Sequence, residues 1–169
     1  MTLPTSTPRV WTRYVAIGDG GYIMSSLDGD TWSGNTTASG TGQNLRGIAY
    51  ANGRWVVVGA GGVIRTSTNG TTWTTAVSGI TTGLNALTTL GSTFIAIGDS
   101  GVILTSADGL SWTPAPSGTT QSLRGLCVDR GTAYTVGASR TILASTDGQT
   151  WTTRTAPALN NSNYRGITA

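Results

Sequence analysis

Ser145-Thr146-Asp147-Gly148-Gln149-Thr150-Trp151 is one of four copies of a single pattern. The others are Ser26-Leu27-Asp28-Gly29-Asp30-Thr31-Trp32, Ser67-Thr68-Asn69-Gly70-Thr71-Thr72-Trp73 and Ser106-Ala107-Asp108-Gly109-Leu110-Ser111-Trp112. Their tryptophans lie 41, 39 and 39 residues apart. A fixed period of about 40 residues marks a repeat architecture in which each unit buries its apolar face against the next. Within each copy, Asp or Asn before Gly is turn chemistry: Gly supplies positive φ and the Asx side chain accepts backbone N–H bonds. The Ser hydroxyl adds a local side-chain-to-backbone bond. The Trp opens the next strand and covers the turn with a large apolar surface.

Outward from the turns, the second unit supplies the template. Residues 45–50 read as strand one, Asn52-Gly53 as a hairpin, 55–58 as strand two, 59–62 as a turn and 63–66 as strand three. The Asx-Gly turn and residues 73–77 then complete a four-stranded meander. Unit three repeats this from Leu84 through Phe94 to Trp112, and unit four from Leu123 through Tyr134 to Trp151. Unit one opens at strand two, residues 13–17, followed by a turn at 18–21 and a return strand at 22–25. Its missing first strand has a counterpart at the other end, because residues 164–169 match 45–50.

Four copies in register resemble the Asp-box, or BNR, repeat, and the chain is similar to bacterial and phage BNR-like β-propellers. These turns are one residue shorter than the commonest Ser-x-Asp-x-Gly-x-x-Trp form. The expected fold is all-β: a propeller of four four-stranded blades, its ring closed by the C-terminal strand pairing into the first blade, which removes open edges. Two chains sharing a larger ring is the alternative closure. Residues 1–9, polar with two prolines, read as an N-terminal arm, and 10–169 as a single domain with Asp-box turns at 26–32, 67–73, 106–112 and 145–151.

Composition agrees and limits the function. The 169 residues include 25 Gly and 5 Pro and show no sustained helical periodicity, so strands and tight turns are favoured. All ten basic residues are Arg and all seven acids are Asp, with no Lys, Glu or His. A net charge of +3, scattered along the chain, gives no nucleic-acid footprint. The lone Cys127, between Leu126 and Val128, reads as a small core hydrophobe. Residues 1–9 contain no apolar run of a signal peptide, and no stretch is long enough to span a membrane. Asp28-Gly29-Asp30 lacks the spaced oxygen ligands of a calcium loop. No metal or cofactor is expected.

In a propeller of this strand order, strand one lines the axis. The turns between strands two and three then share a face with the loops 34–44, 78–83, 117–122 and 156–163. Arg46, Arg124 and Arg165 occupy one register near the mouth of the axis, with Asn85 at the fourth position. Asp19, Asp99 and Arg140 come from the two–three turns of the same face. Three guanidiniums around a narrow axis repel unless something balances them. One reading is an anion pocket for a carboxylated or phosphorylated ligand. The other, favoured because repetition alone explains a repeated residue, is that each Arg pairs with carbonyls or an Asp of a neighbouring blade. Asp28, Trp32, Asn69, Trp73, Asp108, Trp112, Asp147 and Trp151 are structural.

The resemblance extends to sialidases, which carry Asp-boxes and an arginine triad. In those enzymes a Tyr paired with Glu is the nucleophile and an Asp the acid/base. This chain has no Glu, four units instead of six, and its candidate carboxylates Asp19 and Asp99 stand in non-adjacent blades, so catalysis is not expected. Two non-enzymatic classes remain. One is a structural or interaction propeller with protein partners in a larger assembly. Phage tail- and capsid-associated proteins contain such modules, and a Thr-, Gly-, Ser- and Asn-rich surface without a signal suits a virion. The other is a lectin-like module that reads a surface glycan through the loop face.

Overall fold

The computed structural model describes residues 13–35, 39–156 and 162–169. The arm expected at residues 1–9 lies outside them. Fifteen short strands form four antiparallel sheets in chain order. β1 (Tyr14–Ile17), β2 (Ile23–Ser26) and β3 (Ser33–Asn35) make a three-stranded first sheet. The second holds β4 (Leu45–Ala51), β5 (Arg54–Gly59), β6 (Ile64–Ser67) and β7 (Thr74–Ala76). The third holds β8 (Leu84–Leu90), β9 (Thr93–Gly98), β10 (Ile103–Ser106) and β11 (Thr113–Pro114). The fourth holds β12 (Leu123–Asp129), β13 (Thr132–Gly137), β14 (Ile142–Ser145) and β15 (Thr152–Thr153).

Each sheet is a meander because its connections are short and carry turn chemistry. Asn52 (φ 52°) and Gly53 (φ 72°) both adopt the left-handed conformation that a type I′ hairpin needs, as do Arg130 and Gly131 in the fourth sheet. The core lies between sheets, in three apolar layers. Ile23, Leu45, Val57 and Trp73 fill the first, between sheets one and two. Val56, Leu84, Phe94 and Leu104 belong to the second, and Ile95, Ile97, Leu123 and Leu143 to the third. β9 shows the cause. Side chains alternate across a strand, so Phe94 and Ala96 face the second sheet while Ile95 and Ile97 face the fourth. An internal sheet is buried on both faces and reads as a continuous apolar run.

The Ser-x-Asx-Gly turns form one repeated hydrogen-bond unit. In the fourth sheet, Asp147 Oδ1 accepts from the N–H groups of Gln149 (2.8 Å) and Thr150 (2.7 Å) and from Ser145 Oγ (2.9 Å), while the Gly148 N–H donates to Ser145 Oγ (2.8 Å). Asp28, Asn69 and Asp108 repeat the set with Ser26, Ser67 and Ser106. Backbone donors, first that of Thr31, hold the Asp28 carboxyl below the usual carboxylate range, as those of Ser111 and Thr150 do for Asp108 and Asp147. A depressed native pKa means stability that is present above the unfolded value near pH 4 and is lost as pH falls through the native one. Asn69 makes the same bonds without titrating. The triple change Asp28→Asn, Asp108→Asn, Asp147→Asn is therefore expected to fold at pH 7 and to flatten the fall in thermal midpoint below about pH 4. Parallel acid limbs in the two proteins would contradict this.

The tryptophans that cover these turns differ in burial. Trp73 is 8% exposed, Trp112 and Trp151 are half-buried, and Trp32 is 40% exposed. The reason is directional. Trp73, Trp112 and Trp151 each join the apolar layer shared with the preceding sheet, and no described sheet precedes the first. Trp73→Ala should therefore lower stability by about 3–5 kcal/mol and Trp32→Ala by well under half of that. Equal shifts in denaturation midpoint would refute this account of the packing.

The ring closure expected from the sequence is not shown among the described residues. The first sheet has three strands, and residues 164–169 do not pair with β1. They lie instead against the fourth sheet. The Tyr164 N–H donates to the Gly137 carbonyl at 3.0 Å, as the Leu45 N–H donates to that of Gly18 at 3.1 Å. The Ser139 N–H donates to Asn163 Oδ1 (3.0 Å), as the Gly20 N–H does to Asn44 Oδ1 (2.9 Å). A Cβ on Gly125 would come within 2.8 Å of Gly166, as one on Gly47 would come within 2.7 Å of Leu87. The segment thus stands where the inner strand of a following blade would stand, in the register read from the sequence.

Candidate functional site

The inner strands β4, β8 and β12 share a local distortion. Pairing with the second strand slips between Leu45 and Gly47, between Leu84 and Ala86, and between Leu123 and Gly125. The skipped residues are Arg46, Asn85 and Arg124. A bulge leaves one residue without a cross-strand partner and re-aims its side chain. Gly47 and Gly125 follow the two arginines because the neighbouring inner strand approaches too closely for a Cβ. Arg165-Gly166 repeats that dipeptide in the segment docked on the fourth sheet.

Arg46, Asn85, Asp99, Arg124 and Arg165 line one open concavity of about 410 Å³ at the end of the inner strands. Asn85 links three blades there. Its Oδ1 accepts from Arg46 Nη1 (2.7 Å), and its Nδ2 donates to Asp99 Oδ1 (2.9 Å) and to the Leu123 carbonyl (2.9 Å). Arg46 is thereby held by the side-chain amide of a neighbouring blade. Arg124 and Arg165 are not: both are exposed, and neither makes a hydrogen bond or ion pair among the described residues. The single ion pair among the described residues is Arg130–Asp129, 3.9 Å apart and solvent-exposed. The mouth therefore carries three guanidiniums and one carboxylate already engaged by an amide.

Two expected members stand elsewhere. Asp19 opens the two–three turn of the first sheet, as Asp99 does in the third, but it does not line the concavity. Asp99 is held inward by Asn85 of its own inner strand, and among the described residues no strand is paired to β1 on that side. Arg140 does not share the position of Asp99, where the fourth sheet has Ala138. It occupies the third turn residue, where the other sheets carry glycine, and has φ 60°. Its N–H donates to the Ser162 carbonyl at 3.0 Å. Arg65 has a different duty: its Nε and Nη2 donate to the Ser39 and Gly40 carbonyls, pinning the incoming loop to the second blade.

Among the described residues no group of three or more His, Cys, Asp or Glu could hold a metal ion, and no helix is long and apolar enough to cross a membrane. Cys127 is half-buried, and burial, with the Asp129 charge second, pushes its thiol up. The apolar groove lined by Ile80, Val102, Ala115 and Pro116 has a copy one blade earlier, at Val63, Ala76 and Ile80, and belongs to the repeat.

No protein-family model and no curated protein sequence matches the chain. Solved structures do. A structure described as YCF48 bound to D1 peptide superposes with a TM-score of 0.73 at 17% identity, over 94% of this chain and 54% of that one. YCF48 from Cyanidioschyzon merolae gives 0.64 at 18% identity, over 85% of this chain and 53% of that one. The fold is a β-propeller. The four sheets are its blades, and this chain spans about half the length of the propellers it matches. On those blades the arginine mouth lies at the ends of the inner strands, beside the two–three turns and away from the Ser-x-Asx-Gly turns.

Proposed function

We propose that this chain is a non-catalytic interaction propeller that takes an acidic or carboxylate-ended segment of a protein partner at the mouth formed by Arg46, Arg124 and Arg165. The observation that carries the reading is the state of Arg124 and Arg165. Two exposed guanidiniums share a concavity with Arg46 while the one nearby carboxylate, Asp99, is already hydrogen-bonded to Asn85. A guanidinium offers a planar fork matched to a carboxylate, and clustered cations raise the local concentration of anionic ligands. A similar propeller solved with a D1 peptide bound supports a peptide as the kind of ligand. The Asp-box resemblance belongs to the same proposal as a statement about the turns, which lie away from the mouth. A place on a virion rests on composition alone, as a setting for such a module.

Fluorescence anisotropy tests the proposal with three labelled peptides: an Asp/Glu-rich peptide with a free C-terminal carboxylate, its amidated form, and a neutral scramble. Saturable binding is expected for the first, weakened by amidation, by 0.5 M salt and by the change Arg46→Ala, Arg124→Ala, Arg165→Ala. Each lost charged hydrogen bond is worth about 1.5–3 kcal/mol, so the triple variant should bind at least about 100-fold more weakly. Equal binding of all three peptides, or none, overturns the reading. Binding confined to a glycan array would move the chain to the lectin class.

A further inference from the structure

We infer that the ring is completed by a second copy of this chain, with residues 164–169 of each copy serving as the inner strand of the other's first blade. The inference rests on the packing of the blades and is independent of the peptide reading. Each blade after the first docks its Ser-x-Asx-Gly turn onto the blade before it. Gly70 lies against Val15 and Arg13, Gly109 against Val56 and Phe94, and Gly148 against Ile95. Gly29, in the first blade, meets only Tyr14 of its own sheet among the described residues. The face that should meet a preceding blade is open and aromatic: Trp32 is 40% exposed, Tyr14 49% and Leu27 50%.

The other end offers the matching surface. Val15, Val56 and Ile95 stand at one register of the second strand, and that register in the fourth blade is Tyr134. Tyr134 is the residue against which a following Gly29 turn would pack. Residues 164–169 already lie on the fourth blade as an inner strand without a sheet, and among the described residues β1 is a second strand without an inner partner. By the pairing of β4 with β5, Gly166 would face Ile17, Ile167 would face Ala16, and Thr168 would face Val15.

Among the described residues, 164–169 do not pair with β1 of the same chain. The first blade's outer face stays exposed while residues 164–169 lie on the fourth blade. Two copies related by a two-fold axis satisfy all four surfaces at once, and the two contacts are identical. Such a ring has eight blades, each first blade gaining its fourth strand from the partner copy. Its mouth carries Arg46, Asn85, Arg124 and Arg165 from both copies.

The wild-type mass by light scattering and a mixed-thiol cross-link test this together. Light scattering should give twice 17.3 kDa. In a Cys127→Ser background, Val15→Cys in one chain and Thr168→Cys in another should form an inter-chain disulfide on mixing, while either variant alone should not. A wild-type mass of one copy overturns the inference. So does a Val15→Cys, Thr168→Cys double variant that cross-links within a monomer. A dimer that forms no mixed disulfide also overturns it, because the contact would then lie elsewhere. None of these readouts depends on a ligand, so failure of the peptide reading is seen separately.

Discussion

Phe94→Ala is expected to destabilise the chain by about 3–5 kcal/mol, the range for emptying a buried aromatic site. The phenyl ring is fully buried on the second strand of the third blade. It faces the second blade, packs in the layer that includes Val56 and Leu104, and has the Trp112 ring 6.4 Å away at 48°. That tilted geometry contributes beyond area alone, because aromatic edges and faces carry opposite charge. The Gly109 turn also rests on the ring: a Cβ there would lie 3.4 Å from it. Truncation therefore opens a cavity in the layer joining two blades and unseats a turn. Urea denaturation reads it as a lower midpoint at unchanged slope. A loss under about 1 kcal/mol would mean that the second and third blades are not packed through this layer.

Gly101→Ala should be comparably severe for a different reason. Gly101 has φ 74°, and a Cβ would stand 2.0 Å from the Thr119 carbonyl oxygen and 3.0 Å from Ser117 Oγ. A left-handed backbone costs a non-glycine residue about 1–2 kcal/mol, and overpacking adds about 1–3 kcal/mol. Gly118→Ala is the control. Its φ is 71°, yet nothing lies within 4 Å of the added methyl, so only the backbone share should appear. The difference between the two variants isolates the contact between the two–three turn and the incoming loop. Asp99 opens that turn, so Gly101→Ala should also weaken anion binding at the mouth, whereas Gly118→Ala should not. Similar stabilities for the two variants would contradict the close approach.

What the sequence revealed, and what it concealed, follow from locality. The turns were legible because Ser, Asx and Gly act within four residues, and the hydrogen bonds from Asp147 and Ser145 stay inside the motif. The strands were legible because a blade buried on both faces leaves runs such as Phe94-Ile95-Ala96-Ile97. The shared register of Arg46, Arg124 and Arg165 was visible from the repeat, and these residues do share a concavity. What brings Arg46 and Arg124 there, a bulge before a close-approach glycine, was written as Arg-Gly in their two inner strands and passed unread. Ring closure was not legible. Whether residues 164–169 meet β1 of the same chain depends on the rotation between blades, which side-chain volumes in the inter-blade layers set. The burial of Trp32 was not legible for the same reason, since it depends on a neighbour that its own unit does not encode.

The most direct test of the central claim, that the mouth of the inner strands is where this chain recognises its partner, is amide hydrogen exchange with and without the acidic peptide. The account predicts slowed exchange concentrated at residues 44–47, 83–86, 122–125 and 163–166, with the four Ser-x-Asx-Gly turns unchanged. Protection centred on those turns, or spread evenly over the blades, would contradict it.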